Sequence, residues 1–209
     1  MLNFFLHLDV ELANLIANYG TWIYLILFAV IFVETGLVVM PLLPGDSLLF
    51  AAGTFAAVGT LDLYSLLGLL FIAAVLGDSC NYAVGRYTGL KALSWNWRGR
   101  VLVNPTHVER TQSFFAKYGS KAVVLARFVP IVRTFAPFMA GVGRMTYREF
   151  ITYNVVGGFV WILSLTLLGF FVGQIPLIKD NFEKVILGIV ALSMFPIIIE
   201  LITSKRKVI

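Results

Sequence analysis

Hydrophobic and polar positions divide this chain into long uncharged runs separated by short charged or broken ones. Residues 20–33, 63–77, 150–178 and 185–199 contain no Asp, Glu, Lys or Arg. With its flanks, each run is long enough for a transmembrane or re-entrant segment, because a spanning helix needs about 20 apolar residues. Leu2 to Ala17 differs. Leu, Phe, Ile and Val recur there at helical spacing with Asp9, Glu11 and Asn14 between them, which predicts a short amphipathic helix at a membrane surface. The next apolar run reaches Met40, holds Glu34, and is broken by Pro41-Leu42-Leu43-Pro44-Gly45. Asp46 and Ser47 can cap a new helix toward Val58. A helix of about twelve residues cannot cross a bilayer, so the pattern predicts a re-entrant hairpin. A full span over Leu63 to Arg86 follows it.

The second half repeats this plan. Ala116-Lys117-Tyr118-Gly119-Ser120 matches Ala17-Asn18-Tyr19-Gly20-Thr21 at an offset of 99 residues. Before it, Pro105 to Phe115 reads as an amphipathic helix capped at Asn104, with Pro105 at its first position. After it, Ala126 to Gly143 is apolar yet carries Arg127 and Arg133 and is broken by Pro130 and Pro137. Pro41 corresponds to Pro130, and Ala51-Ala52-Gly53 to Ala140-Gly141. A span over Phe150 to Gly173 then ends in Gly169-x-x-x-Gly173, as the earlier span ends in Gly85-x-x-x-Gly89. The expected fold is an all-α polytopic membrane protein, one domain over 1–209. It holds an inverted repeat of amphipathic helix, re-entrant helical hairpin and transmembrane helix, plus one extra C-terminal transmembrane helix. Repeat 1 covers about 1–89, a basic loop about 86–121, repeat 2 about 104–173, and the final span about 185–201.

Composition agrees with a membrane class. The chain is 59% hydrophobic and 13% charged, about half the charge of a soluble domain. The net charge of +5 raises nucleic acid as a partner, but the placement of charge argues against it. Only acids precede Arg86: Asp9, Glu11, Glu34, Asp46, Asp62 and Asp78. Seven basic residues lie between Arg86 and Lys121 against the single acid Glu109, and Lys205-Arg206-Lys207 forms a second basic site. Cytoplasmic loops collect Lys and Arg, so both basic sites are expected inside and the acidic N-terminus outside. The two hairpins then enter from opposite faces. Inverted repeats whose broken helices meet near the midplane are a transporter architecture. The lone Cys80 excludes an internal disulfide, and no basic n-region marks a signal peptide.

Candidate chemistry is segregated between the hairpins. The first carries only acids, Glu34 and Asp46, and the second only arginines, Arg127 and Arg133. An arginine at bilayer depth costs from about 3 to more than about 10 kcal/mol, so its presence points to a site or a pairing. Irregular backbone such as that at Pro130 and Pro137 belongs inside protein or beside a water-filled cavity. One reading is a buried ion-pair lock between the copies. In the other, Arg127 and Arg133 bind an anion while Glu34 and Asp46 carry protons or gate access. Guanidinium forks suit phosphate, and a desolvated carboxyl can exchange protons near neutral pH. Residues six apart share no face of a straight helix, so the break at Pro130 is what would aim both arginines at one ligand. Asp78, Asn81 and Arg86 are secondary candidates. Asp78 stands eight residues before Arg86, about 12 Å along a helix, and Asn81, Tyr82 or Arg86 could simply hydrogen-bond to it. Trp95 and Trp97 read as interface anchors, and Tyr147, Arg148 and Asn154 as a helix start. His7 and His107 lack a second ligand at metal spacing, so neither a metal nor a cofactor is expected. No nucleophile–base pair, P-loop or dinucleotide fingerprint is present, and an enzyme is not expected.

Several stretches carry a family resemblance. They are Glu34 with Met40-Pro41-Leu42-Leu43-Pro44-Gly45-Asp46-Ser47-Leu48-Leu49, and Gly77-Asp78-x-x-Asn81-Tyr82-x-x-Gly85-Arg86-x-x-Gly89. The third is Ala126-Arg127-Phe128-x-Pro130-x-x-Arg133-Thr134, continued by Ala140-Gly141-x-Gly143-x-Met145. Together they closely resemble the DedA family, whose domain is also called SNARE-associated or VTT. The resemblance implies a bacterial inner-membrane protein with paired re-entrant hairpins. It implies movement of lipid across the bilayer, in particular recycling of undecaprenyl phosphate. Other members are tied to other phospholipids, to proton-motive force and to resistance to cationic peptides. The family's important acids correspond to Glu34 and Asp46, and its important arginines to Arg127 and Arg133. The expected partners are therefore membrane lipids (a polyprenyl phosphate or an anionic phospholipid) and protons. The glycine pairs also allow a homo-oligomer. Two alternatives stay open: a proton-coupled antiporter of a small ion or osmolyte, and a membrane-organising protein that transports nothing.

Overall fold

The computed structural model describes residues 8–37, 45–89, 96–97, 100–101 and 105–176. The predicted final span, Pro41, Pro44 and Asn104 lie outside these residues. Regular structure is helical apart from a short antiparallel pairing of β1 (Asn96–Trp97) with β2 (Arg100–Val101). The helices are α1 (Leu8–Gly36), α2 (Gly45–Ala57), α3 (Leu63–Thr88), α4 (Pro105–Tyr118), α5 (Ala122–Ala126), α6 (Pro130–Val142) and α7 (Tyr147–Gly173). α3 and α7 are long and apolar enough to cross a bilayer. Large apolar side chains such as Trp22, Ile26, Phe159 and Phe171 are exposed on the long helices, as hydrocarbon solvent permits.

Two expectations are corrected. The predicted surface helix ending at Ala17 and the apolar run after it form one continuous helix, α1. Gly20 adopts helical backbone there, whereas its counterpart Gly119 has φ +55° and ends α4. A single helical glycine costs only about 1 kcal/mol, too little to end a helix that continues over 29 residues. Pro137 does not break the chain: it lies inside α6, and only Pro130 starts a helix. A helix-interior proline forgoes one hydrogen bond, and packing on neighbouring helices compensates, since Pro137 is buried among buried Phe135, Ala136 and Phe138.

The chain divides into two compact units. The first is made of residues 8–27, 45–67 and 164–176. In it, α2 packs on the C-terminal part of α7 through glycine on both sides. A Cβ on Gly53 would lie 2.0 Å from the Thr166 carbonyl oxygen, and one on Gly169 would lie 2.0 Å from that of Phe50. Thr54 Oγ1 reaches the Phe50 and Gly169 carbonyls at 3.0 and 3.2 Å. Asp62 accepts the Ser65 N–H at 2.7 Å and so caps α3. The backbone donor at Ser65 holds the Asp62 carboxyl below its ordinary range.

The second unit is made of residues 28–37, 68–89, 96–97, 100–101 and 105–163. Here α6 packs on α3 by the same device. A Cβ on Gly85 would lie 2.1 Å from the Phe138 carbonyl oxygen, and one on Gly141 would lie 2.2 Å from that of Tyr82. In both units each glycine sits three residues after the carbonyl that its partner glycine meets. Around this crossing, Tyr82 stacks on Phe150 at 4.4 Å and donates to the Met145 carbonyl at 2.5 Å. Val108, Phe135, Phe138 and Met139 close the core between α4 and α6.

Candidate functional site

The second unit contains a buried charge cluster, and the sequence dictates where the chain opens to form it. Val129 is extended, with φ −119° and ψ 103°, because the ring of the following Pro130 disfavours helical backbone before it. Pro130 then opens α6, where its missing N–H is no loss. Arg127 thus falls in the turn after α5, and Arg133 falls in the first turn of α6.

Arg127 is buried, and its Nη2 donates to Asp78 Oδ2 at 2.5 Å and to Asn154 Oδ1 at 2.6 Å. Asn154 is oriented in turn by donating Nδ2 to the Val75 carbonyl at 3.1 Å. Gly157 leaves room for the arginine stem: a Cβ there would meet Arg127 Cδ and Nε at 3.1 Å. Arg127 Nε and Nη1 are buried without hydrogen-bond partners among the described residues. Arg133 donates to Glu34 Oε1 at 2.6 Å, and Glu34 is 1% exposed in the last turn of α1. Both guanidiniums lie over one indole, Trp161, at 5.5 Å for Arg127 and 5.1 Å for Arg133. Neither Asp nor Glu is almost ever fully buried unless paired, and here both buried acids are paired.

The candidates therefore sort as follows. Arg127, Arg133 and Glu34 meet in the cluster, as does Asp78, whose partner is Arg127 rather than Asn81, Tyr82 or Arg86. Asn81 is buried one turn further along α3 and donates to the Thr35 and Thr134 carbonyls. Arg86 is exposed in the last turn of α3 and lines a separate cavity of about 410 Å³ with Tyr82, Tyr87 and Tyr147. Asp46 is half-buried in the first turn of α2, in the other unit, where Gly45 is the first helical residue. Asn154 and Trp161 were not singled out by sequence as site residues, and reading Asn154 as a helix-start residue is corrected by its bond to Arg127. One signal could have found them. Asn154, Gly157, Gly158 and Trp161 fall at spacings of three, four and seven, a single face of α7.

Comparison with known proteins gives the lineage. The VTT domain family matches residues 43–171. The chain belongs to the VTT-domain (DedA) family. It is 49% identical to Protein DedA of Escherichia coli K12 over 99% of this chain and 94% of that protein. It is 42% identical to an uncharacterized membrane protein of Mycobacterium leprae, covering 81% of this chain and 75% of that one. It is 36% identical to Inner membrane protein YqjA of E. coli K12, covering 74% and 69%. No solved structure matches. With two helices able to span a bilayer and relatives that are membrane proteins, this VTT-domain chain is a membrane protein.

Proposed function

We propose that this VTT-domain protein translocates a lipid phosphate, undecaprenyl phosphate fitting best, across the bacterial cytoplasmic membrane in exchange with protons. The observation that carries the reading is the convergence of two guanidiniums on Trp161, each held by a carboxylate from a different helix. Arg127 and Arg133 are the phosphate ligands, and the isoprenoid tail stays in lipid. The two unpartnered nitrogens of buried Arg127 are donors that an oxyanion can accept from. Glu34 and Asp78 occupy the arginines in the empty state, and their protonation frees the cations. This adds Asp78 to Glu34 and Asp46, the proton carriers expected from the sequence.

The matching glycine crossings of α2 with α7 and of α6 with α3 support an inverted repeat, the architecture of alternating access. In that arrangement the 86–121 loop and the C-terminus are cytoplasmic, as the placement of Lys and Arg supports. The test is reconstitution in liposomes with a labelled polyprenyl phosphate whose accessibility is followed in time. Wild type equilibrates the lipid and Arg133→Ala does not; equal rates sink the anion site. A second reading, a non-transporting ion-pair lock, is favoured by the pairing of each arginine with a carboxylate. Full function after a charge swap of Glu34 with Arg133 would select it.

A further inference from the structure

Asn81 is fully buried on α3, one turn beyond Asp78, and its single amide donates to two carbonyls from two other helices. Nδ2 lies 3.1 Å from the oxygen of Thr35 and 2.9 Å from that of Thr134. Thr35 directly follows Glu34, and Thr134 directly follows Arg133. One side chain therefore ties down the backbone immediately beyond both members of the ion pair.

Both anchors are places where backbone has something to gain. Thr35 lies in the last turn of α1, where helical carbonyls lose their intrahelical donors. Thr134 lies in the stretch of α6 that Pro137 loosens, since Pro137 has no N–H for the Arg133 carbonyl. Two carbonyl acceptors need two N–H donors on one group. An ionised carboxylate of the same size has none, and a hydroxyl has one. Close packing of α1 on α3 keeps the geometry tight: a Cβ on Gly77 would lie 2.8 Å from the Phe32 carbonyl oxygen.

We infer that Asn81 is the positioning residue of the Glu34–Arg133 pair, fixing the register in which carboxylate meets guanidinium. Its importance to transport rests on the proposed role of Arg133, but the register is tested within the protein and fails or stands separately from translocation. Trp161 is the reporter, because Arg133 lies over its ring. In a protein with Trp22, Trp95 and Trp97 replaced by Phe, Trp161 is the sole indole. Glu34→Gln is expected to shift its emission maximum by releasing the arginine. Asn81→Ala should shift emission in the same direction, and the double variant should shift it no further than the larger single change, because both act on one pair. Wild-type emission in a cooperatively melting Asn81→Ala protein overturns the inference, as do shifts that simply add. Should Asn81→Ala not fold, Asn81→Leu keeps a similar volume and removes both donors, and wild-type emission in that variant overturns the inference equally.

Discussion

Removing Asp78 tests what the buried cluster contributes. The side chains of Arg127 and Asp78 are 2% and 6% exposed, which places the pair in the regime of buried ions rather than screened surface ones. Breaking such a pair by removing one partner costs about 3–5 kcal/mol, because the remaining charge is left desolvated and uncompensated. In Asp78→Leu, Arg127 keeps Asn154 and the face of Trp161, which argues for the lower end of that range. For a chain of this size each kcal/mol moves the melting temperature by roughly 2–4 °C, so a fall of roughly 10 °C is expected. The assay is thermal unfolding in detergent, followed by circular dichroism.

The double variant Asp78→Leu with Arg127→Met supplies the refutation. Apolar residues of similar volume in place of a buried pair are often neutral or stabilising. The double variant should therefore regain most of the lost melting temperature. On the translocase reading it should be inactive in the liposome assay, because a proposed phosphate ligand is gone. If the double variant melts below both single variants, the ion pair is not the unit that the distances imply. If it melts like wild type and still moves lipid, Arg127 is a structural charge and the anion site is wrong.

Three further substitutions test contacts along the helices. Gly157→Ala brings a Cβ within 3.1 Å of Arg127 Cδ and Nε and 3.2 Å of the Val124 backbone, an overpacking worth about 1–3 kcal/mol. Gly20→Ala meets nothing within 4 Å in the middle of α1 and should stabilise by about 0.5–1 kcal/mol. Melting curves of the two variants should move in opposite directions, and a parallel shift would contradict the packing argument. Asp62→Ala removes the α3 cap, and its sign with pH is set by the lowered Asp62 pKa. A carboxyl held below its ordinary 3.8 contributes above that value and loses its contribution as pH falls through its folded pKa. The melting difference between wild type and Asp62→Ala should be present at pH 7 and shrink on acidification below 3.8; a constant difference would rule out the charged cap.

Much of the fold was legible because the signals are periodic or local. Uncharged runs marked α3 and α7, Pro105 marked the start of α4, and Pro130 marked the break before α6. Glu34 and Arg133 stood out because isolated charges in apolar runs have few bland explanations. The partner of Arg127 was harder. Asp46 and Asp78 are both acids inside apolar surroundings, and nothing along the chain marks Asp78 as the one that bonds Arg127. Asn154 and Trp161 were missed for a different reason: an uncharged amide and an aromatic ring look ordinary on a spanning helix. The continuity of α1 through Gly20 was illegible because Tyr19-Gly20 and Tyr118-Gly119 read alike while their backbones differ.

Charge balance separates the two functional readings better than any single contact. In the two ion pairs Arg127–Asp78 and Arg133–Glu34, two guanidiniums face two carboxylates, so these four ionised groups balance in charge. An anion that enters the cluster would leave an uncompensated negative charge in a medium where such charge is very costly. On the translocase reading, each unit of negative charge brought in therefore requires a carboxylate to be neutralised by a proton or withdrawn. Proton movement is then a consequence of electroneutrality and needs no separate coupling device. A lock carries no such requirement, since its carboxylates are satisfied only when both arginines stay where they are. On the translocase reading, the asymmetry of the cluster is what would serve exchange. Arg127 sits in a turn and is held by α3 and α7, while Arg133 opens a helix and is held by the end of α1. The two pairs belong to different segments, so the translocase reading has them open one at a time.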